Sequence, residues 1–208
     1  MKTMIAIPCM DQVPTQFCMS LAMLQTSGDC KLVMSPGSLI YTSRNNLATQ
    51  ALQEEYDYVF WLDSDMIFAP DTLIRMMDTL QKRDLDFLTG LYFRRVPPFS
   101  PVLFDRLEIK MHDVCSWSNF ETIPDDIFEI GGCGFGCVLM KTDMFIDVQS
   151  QFNNMFSPIG NNGEDVAFCW RARQCGYKLY CDPSVICGHV GHTVINDQFY
   201  RAYKNNGG

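Results

Sequence analysis

Asp63-Ser64-Asp65 sets two carboxylates at the end of the apolar run Tyr58 to Leu62. An unpaired charge in apolar surroundings is strongly disfavoured, so the spacing predicts a strand that ends at Leu62 with both acids just beyond it. Residues i and i+2 of an extended segment point the same way. Asp63 and Asp65 are therefore expected to face one ligand together while Ser64 turns away. Two hard oxygen donors so placed suit Mg²⁺ or Mn²⁺ carrying a phosphate. The competing reading is a turn in which one Asp caps the next helix. An EF-hand loop is excluded, because Met66, Ile67 and Phe68 stand where a third oxygen donor and a glycine belong.

Four further places carry chemistry-bearing residues. Glu164-Asp165 opens a helix expected over 166–175 and closed by Gly176; the acids are either partners of the helix dipole or carboxylates able to accept a proton. His189 and His192 lie between glycines after the strand-like Val185 to Cys187, as hydrogen-bonded loop residues or as imidazole ligands for Mn²⁺. Arg44, behind a Ser43 cap, falls in a helix's first turn, where the dipole disfavours a cation unless a phosphate is bound nearby. Gly131-Gly132-Cys133-Gly134-Phe135-Gly136 requires unusual dihedrals or close approach to a ligand or another chain segment. It is not a dinucleotide fingerprint, since Cys137 replaces the third glycine, nor a P-loop, since Met140 precedes Lys141.

The elements that must position these residues alternate. Strands are expected at Met4 to Pro8, Lys31 to Met34, Tyr58 to Leu62, Asp86 to Gly90, Cys137 to Met140 and Lys178 to Asp182. Helices are expected at Thr15 to Gln25, Ser43 to Glu55 and Asp71 to Lys82. The order strand, helix, strand points to an α/β sheet. Between Tyr92 and Met111 Pro97, Pro98 and Pro101 break the pattern, apart from a short strand at Val102 to Phe104; His112 to Asp126 shows no clear period, and loops of such length often bind substrate.

A length of 208 residues with no linker-like stretch fits one domain. A net charge of −8 argues against an electrostatic grip on nucleic acid or anionic membrane. Pro8, Asp11 and Pro14 interrupt the apolar core a signal peptide needs, and no stretch reaches the length of a membrane span. The reading is a soluble, cytoplasmic protein with no integral membrane segment. Cys169, Cys175, Cys181 and Cys187 recur without zinc-site spacing and are expected as small buried thiols.

Taken together, the Pro8 strand end, Ser43-Arg44-Asn45, Asp63-Ser64-Asp65, the Gly131 to Gly136 segment, Glu164-Asp165 and the late His resemble glycosyltransferases of the GT-A fold. The likeness is to small family-2-like enzymes that use nucleotide sugars, and it spans about residues 3–192. It implies a three-layer α/β/α sandwich around a mostly parallel mixed sheet, with a nucleotide-binding half at about 1–95 and an acceptor-binding half at about 96–208. By the same resemblance Asp63 contacts the donor's ribose or sugar, and Asp65 ligates Mn²⁺ or Mg²⁺ together with His189 or His192, His189 being preferred. Arg44 approaches the pyrophosphate, the Pro8 to Asp11 loop borders the base, and Ser64 and Gly132 belong to the donor site. Asp165 matches the general base of inverting relatives, and Glu164 orients an acceptor or a loop. Ser35-Pro36-Gly37-Ser38 stands where many relatives carry a uracil-reading acid. UDP-sugars remain the first donor class, with GDP and dTDP open and the acceptor a glycan, lipid or protein. The alternative is a catalytically inactive nucleotide-sugar or glycan binding module of the same fold. A nucleotidyltransferase would need a glycine-rich basic loop after the first strand, which residues 8–14 lack.

Overall fold

Along the first strand, Met4 and Ala6 enter one apolar core while Ile5 and Ile7 enter another. Such alternation, with all four side chains buried, belongs to a strand covered on both faces. The computed structural model describes residues 1–37, 39–110, 114–191 and 195–205.

In chain order the first half comprises β1 (Lys2–Cys9), α1 (Thr15–Met23), β2 (Asp29–Pro36), α2 (Ile40–Gln53), β3 (Tyr58–Leu62), β4 (Met66–Ile67), α3 (Thr72–Lys82) and β5 (Phe87–Leu91). Then come β6 (Leu103–Phe104), β7 (Arg106–Lys110), β8 (Val114–Ser118), β9 (Phe128–Ile130), β10 (Gly132–Cys133) and β11 (Cys137–Lys141). The chain continues through α4 (Asp143–Phe152), α5 (Glu164–Gln174), β12 (Leu179–Ile186), β13 (Gly188–His189) and α6 (Asp197–Asn205).

A seven-stranded sheet runs β2-β1-β3-β11-β5-β12-β9. The strands β2, β1, β3, β5 and β12 run one way, while β11 and β9 run against them. One face carries α2, α4 and α5 through Leu47, Ala51, Phe145, Phe168 and Ala172. The other carries α1 and α3 through Phe17, Leu73, Met76 and Leu80. This is the expected three-layer sandwich with a mixed, mostly parallel sheet. Trp61 of β3 meets Phe145 and Phe156 edge-on, and Phe156 stacks on Phe168 at 4.6 Å, so α4 and α5 are locked to the sheet centre by aromatic contacts.

Several expectations change. The second helix begins at Ile40 with Leu39 at its cap position, so Ser43 is an interior, buried residue and not the cap. The apolar pair Leu39-Ile40 starts the helix without any side-chain cap bond. The stretch after Leu62 is not extended: the Met66 amide donates to the Asp63 carbonyl at 3.2 Å, closing a turn over Asp63-Ser64-Asp65. The proline-interrupted region holds an antiparallel hairpin, β7 with β8, and α4 and α6 are two further helices. Cys169, Cys181 and Cys187 are buried free thiols, while Cys175 is half-buried.

Candidate active site

In a parallel sheet ligands settle outside the carboxyl ends of the strands. Here the ends of β1 and β3 open onto a cleft of 370 Å³ whose lining includes Pro8, Cys9, Asp63, Asp65, Arg95 and His189, with Arg44, Glu164 and Asp165 beside them. Four carboxylates from β3's end and the start of α5 therefore share one depression.

The cleft has a buried strut. Arg44, 1% exposed, donates from Nη2 to Asp63 Oδ1 at 2.6 Å and from Nε to Glu164 Oε1 at 3.0 Å. Its guanidinium lies 5.3 Å from the ring centroids of both Trp61 and Phe135. Nη1, also buried, has no partner among the described residues. A cation this deep persists because carboxylates and aromatic faces replace its water. Arg44 therefore joins the turn after β3 to the start of α5; it lines the cleft with its charge engaged by Asp63 and Glu164.

Asp65 lines the same cleft with different partners. Because residues 63–65 form a turn, the two acids engage different partners: Asp63 takes Arg44, whereas Asp65 Oδ2 accepts from Arg95 Nη1 at 2.8 Å and lies 3.5 Å from His189 Nε2. His189 arrives through antiparallel pairing of β13 with β4, which sets it opposite Met66, and the Val190 amide donates to the Asp65 carbonyl at 2.8 Å. His189 Nδ1 is 2.9 Å from the Phe93 carbonyl. A carbonyl only accepts, so Nδ1 carries the hydrogen and Nε2 turns toward Asp65. Two acceptors would oppose each other in the neutral imidazole, a conflict relieved either by a proton on Nε2 or by a metal cation between the two groups. Burial alone would raise the Asp65 carboxyl, but the hydrogen bond and charge of His189, with Arg95, outweigh it and hold the group below its ordinary range.

A divalent cation fits this donor pair. Adjacent ligands about 2.1 Å from an octahedral ion lie roughly 3 Å apart, close to the Asp65–His189 separation, and the Nδ1 bond to a backbone carbonyl is the usual outer support of a metal-bound imidazole. Among the described residues no group of three or more His, Cys, Asp and Glu is arranged to hold a metal. His192 lies outside the described residues.

Asp165 differs from its neighbours. Half-buried, it accepts the Val166 amide on Oδ1 at 2.7 Å. Burial and the adjacent Glu164 charge push its carboxyl up to about 6, against the opposing pull of that amide and of Arg44. A carboxylate so raised is poised to take a proton near neutral pH.

Two expected site residues lie elsewhere. Gly132 pairs with Phe104 in β10, and a Cβ there would stand 2.9 Å from Leu107 Cδ2 and 3.2 Å from Cys169 Cβ; it is packed away from the residues that line the cleft. Asp11 is exposed and lies beyond Pro8, Cys9 and Met10, which do line the cleft. Gly131 lies against the backbone of Asp105 to Leu107, while Gly134 and Gly136 make room for Tyr92. A Cβ on Gly136 would lie 2.8 Å from Tyr92 Cζ, and the Gly136 amide donates to the Tyr92 hydroxyl at 3.2 Å. The Gly136 carbonyl in turn accepts the Asp63 amide at 3.1 Å. Ser64 lines the cleft instead of turning away. Sequence reasoning missed Arg95; its signal is an Arg pair directly after the β5 strand, at the sheet edge where the acids sit.

The model of the Anp1 family, glycosyltransferase-like proteins, matches residues 37–123, less than half of the chain. That stretch holds Arg44, Asp63, Asp65 and Arg95 and stops before Asp165 and His189. No curated protein sequence matches. The structure is similar to the crystal structure of A197 from STIV, with TM-score 0.65, 17% identity and 94% of each chain covered. It is also similar to GalNAc-T7 with UDP, GalNAc and Mn²⁺, with TM-score 0.62, 10% identity and 91% of this chain covered against 44% of that chain. The fold is GT-A-like, of the Rossmann type. No helix among the described residues is long and apolar enough to cross a membrane.

Proposed function

We propose that this chain is a glycosyltransferase that moves a sugar from a nucleoside-diphosphate sugar, a UDP-sugar first, to an acceptor hydroxyl with inversion. The observation that carries the reading is one cleft, at the carboxyl edge of β1 and β3, that contains both Asp165, with its carboxyl raised to about 6, and the Asp65–His189 pair. GalNAc-T7, of similar fold, was crystallised with UDP and Mn²⁺. That supports the donor class and the metal.

Asp165 takes the acceptor hydroxyl's proton while that oxygen bonds to the anomeric carbon and the bond from that carbon to the diphosphate breaks. Glu164, whose Oε1 accepts from Arg44 Nε, helps to hold the start of α5 in place. Asp63, anchored by Arg44 and the Gly136 carbonyl, is positioned for the donor's sugar or ribose. Asp65 and His189 would hold Mn²⁺ or Mg²⁺, which neutralises charge gathering on the departing nucleoside diphosphate. The hairpin of β7 and β8 and the aromatic contacts of α6, where Tyr200 stacks on Phe93 at 4.7 Å, stand on the acceptor side of this reading.

The test is a thermal-shift panel of UDP-, GDP- and dTDP-sugars with and without Mn²⁺, since binding to the native state raises its stability. A metal-dependent shift with one nucleotide, retained in Asp165→Asn while transfer falls by about 10²–10⁴, is the expected outcome. A panel without any shift overturns the donor reading, and undiminished transfer in Asp165→Asn overturns the base.

A further inference from the structure

The cleft is poorly suited to an anion as it stands. Its ionised lining comprises Asp63, Asp65, Glu164 and Asp165 against Arg44 and Arg95, within a chain of net charge −8. A nucleoside diphosphate therefore meets excess negative charge unless a cation is released toward it. Arg44 is not available, because it is buried between Asp63 and Glu164.

Arg95 is different in kind. Its side chain is 49% exposed, and Nη1 contacts Asp65 Oδ2 at 2.8 Å and the Val190 carbonyl at 3.4 Å. Its stem lies over Gly191, where a Cβ would come within 3.3 Å of Arg95 Cδ. The oxygen it holds is the one that faces His189 Nε2 at 3.5 Å. A divalent ion bonded to both would share that oxygen with a guanidinium nitrogen, so the two cations repel across one carboxylate. Once displaced, a long, half-exposed arginine anchored just after β5 can turn its planar fork to phosphate oxygens, a geometry it matches bidentately.

We propose that Arg95 is a two-position residue: it neutralises Asp65 in the free protein, and on donor binding it leaves that carboxylate to a divalent ion and grips the donor's diphosphate. The inference rests on the glycosyltransferase reading. It makes Arg95 a competitor of the metal and a ligand of the anion at once.

Mn²⁺ affinity without nucleotide, and UDP and uridine affinities at saturating Mn²⁺, are measured by calorimetry on wild type, Arg95→Ala and Arg95→Lys. Arg95→Ala is expected to bind Mn²⁺ alone about tenfold tighter and UDP about tenfold weaker, with uridine unchanged, and Arg95→Lys to fall between. Unchanged or weaker Mn²⁺ binding in Arg95→Ala overturns the competition, and unchanged UDP binding overturns the diphosphate contact. If wild type binds Mn²⁺ and UDP but Arg95→Ala matches it, only this inference fails. If no variant binds either, the donor reading fails with it. Mn²⁺ binding seen solely in Arg95→Ala supports the competition directly.

Discussion

Replacing Asp165 with Asn should stabilise the folded protein, and more so at higher pH. The wild-type carboxyl sits at about 6 in place of an ordinary 3.8, so the folded chain holds this proton more tightly than the unfolded chain. Below 3.8 both states are protonated and no penalty exists. Between 3.8 and about 6 the unfolded state ionises first, so stability falls as pH rises; above 6 the penalty is complete. It amounts to on the order of 3 kcal/mol at pH 8, and about half of that at pH 5. Asp165 is half-buried, so solvent screening makes these figures ceilings. Asn keeps an oxygen for the Val166 amide, removes the repulsion from Glu164 and forgoes the attraction to Arg44. For a chain of this size each kcal/mol corresponds to about 2–4 °C in Tm. Urea denaturation of wild type and Asp165→Asn at pH 5 and pH 8 is the assay. A variant less stable at pH 8, or a difference that does not grow between the two pH values, would refute the claim that this carboxylate is held ionised at a cost.

Other outcomes follow from neighbouring contacts. His189→Ala should weaken Mn²⁺ binding at least tenfold; calorimetry with Mn²⁺ checks this, and equal affinity would remove His189 as a ligand. Arg44→Met should destabilise by about 3–5 kcal/mol in urea, since it strands Asp63 and Glu164 without their cation; a neutral result would mean the strut contributes only geometry. Gly136→Ala should cost about 1–3 kcal/mol through overlap with Tyr92, read as a lowered Tm.

Much of the scaffold can be read directly from residue patterns. Tyr58 to Leu62 ends where its apolar run ends, because Asp63 cannot enter the core unpaired, and α3 and α5 follow their helical spacing within two residues. Where local signals compete with tertiary ones, reading fails. Ser43 looks like a cap, yet packing of Leu47, Ala48 and Ala51 on the sheet extends the helix a turn earlier. The glycine-rich segment signals close approach correctly but does not say to what; Tyr92, more than forty positions away, answers only in three dimensions. For the same reason the partition of the two acids, Asp63 to Arg44 and Asp65 to Arg95, is invisible in a three-residue motif, since it depends on the turn and on distant cations.

The pairing of β4 with β13 involves two residues from each strand, and the seven-stranded sheet is complete by Ile186, before His189 is reached. The late imidazole is thus an appendage to a finished framework, clipped onto it by a short ladder and one carbonyl of Phe93. Replacing His189 alone removes the imidazole that faces Asp65 and leaves all seven strands of the sheet in place. Conversely, the clip is compact: a protein engineer could vary Gly188 and His189 to recruit another ion without rebuilding the twice-covered sheet beneath them.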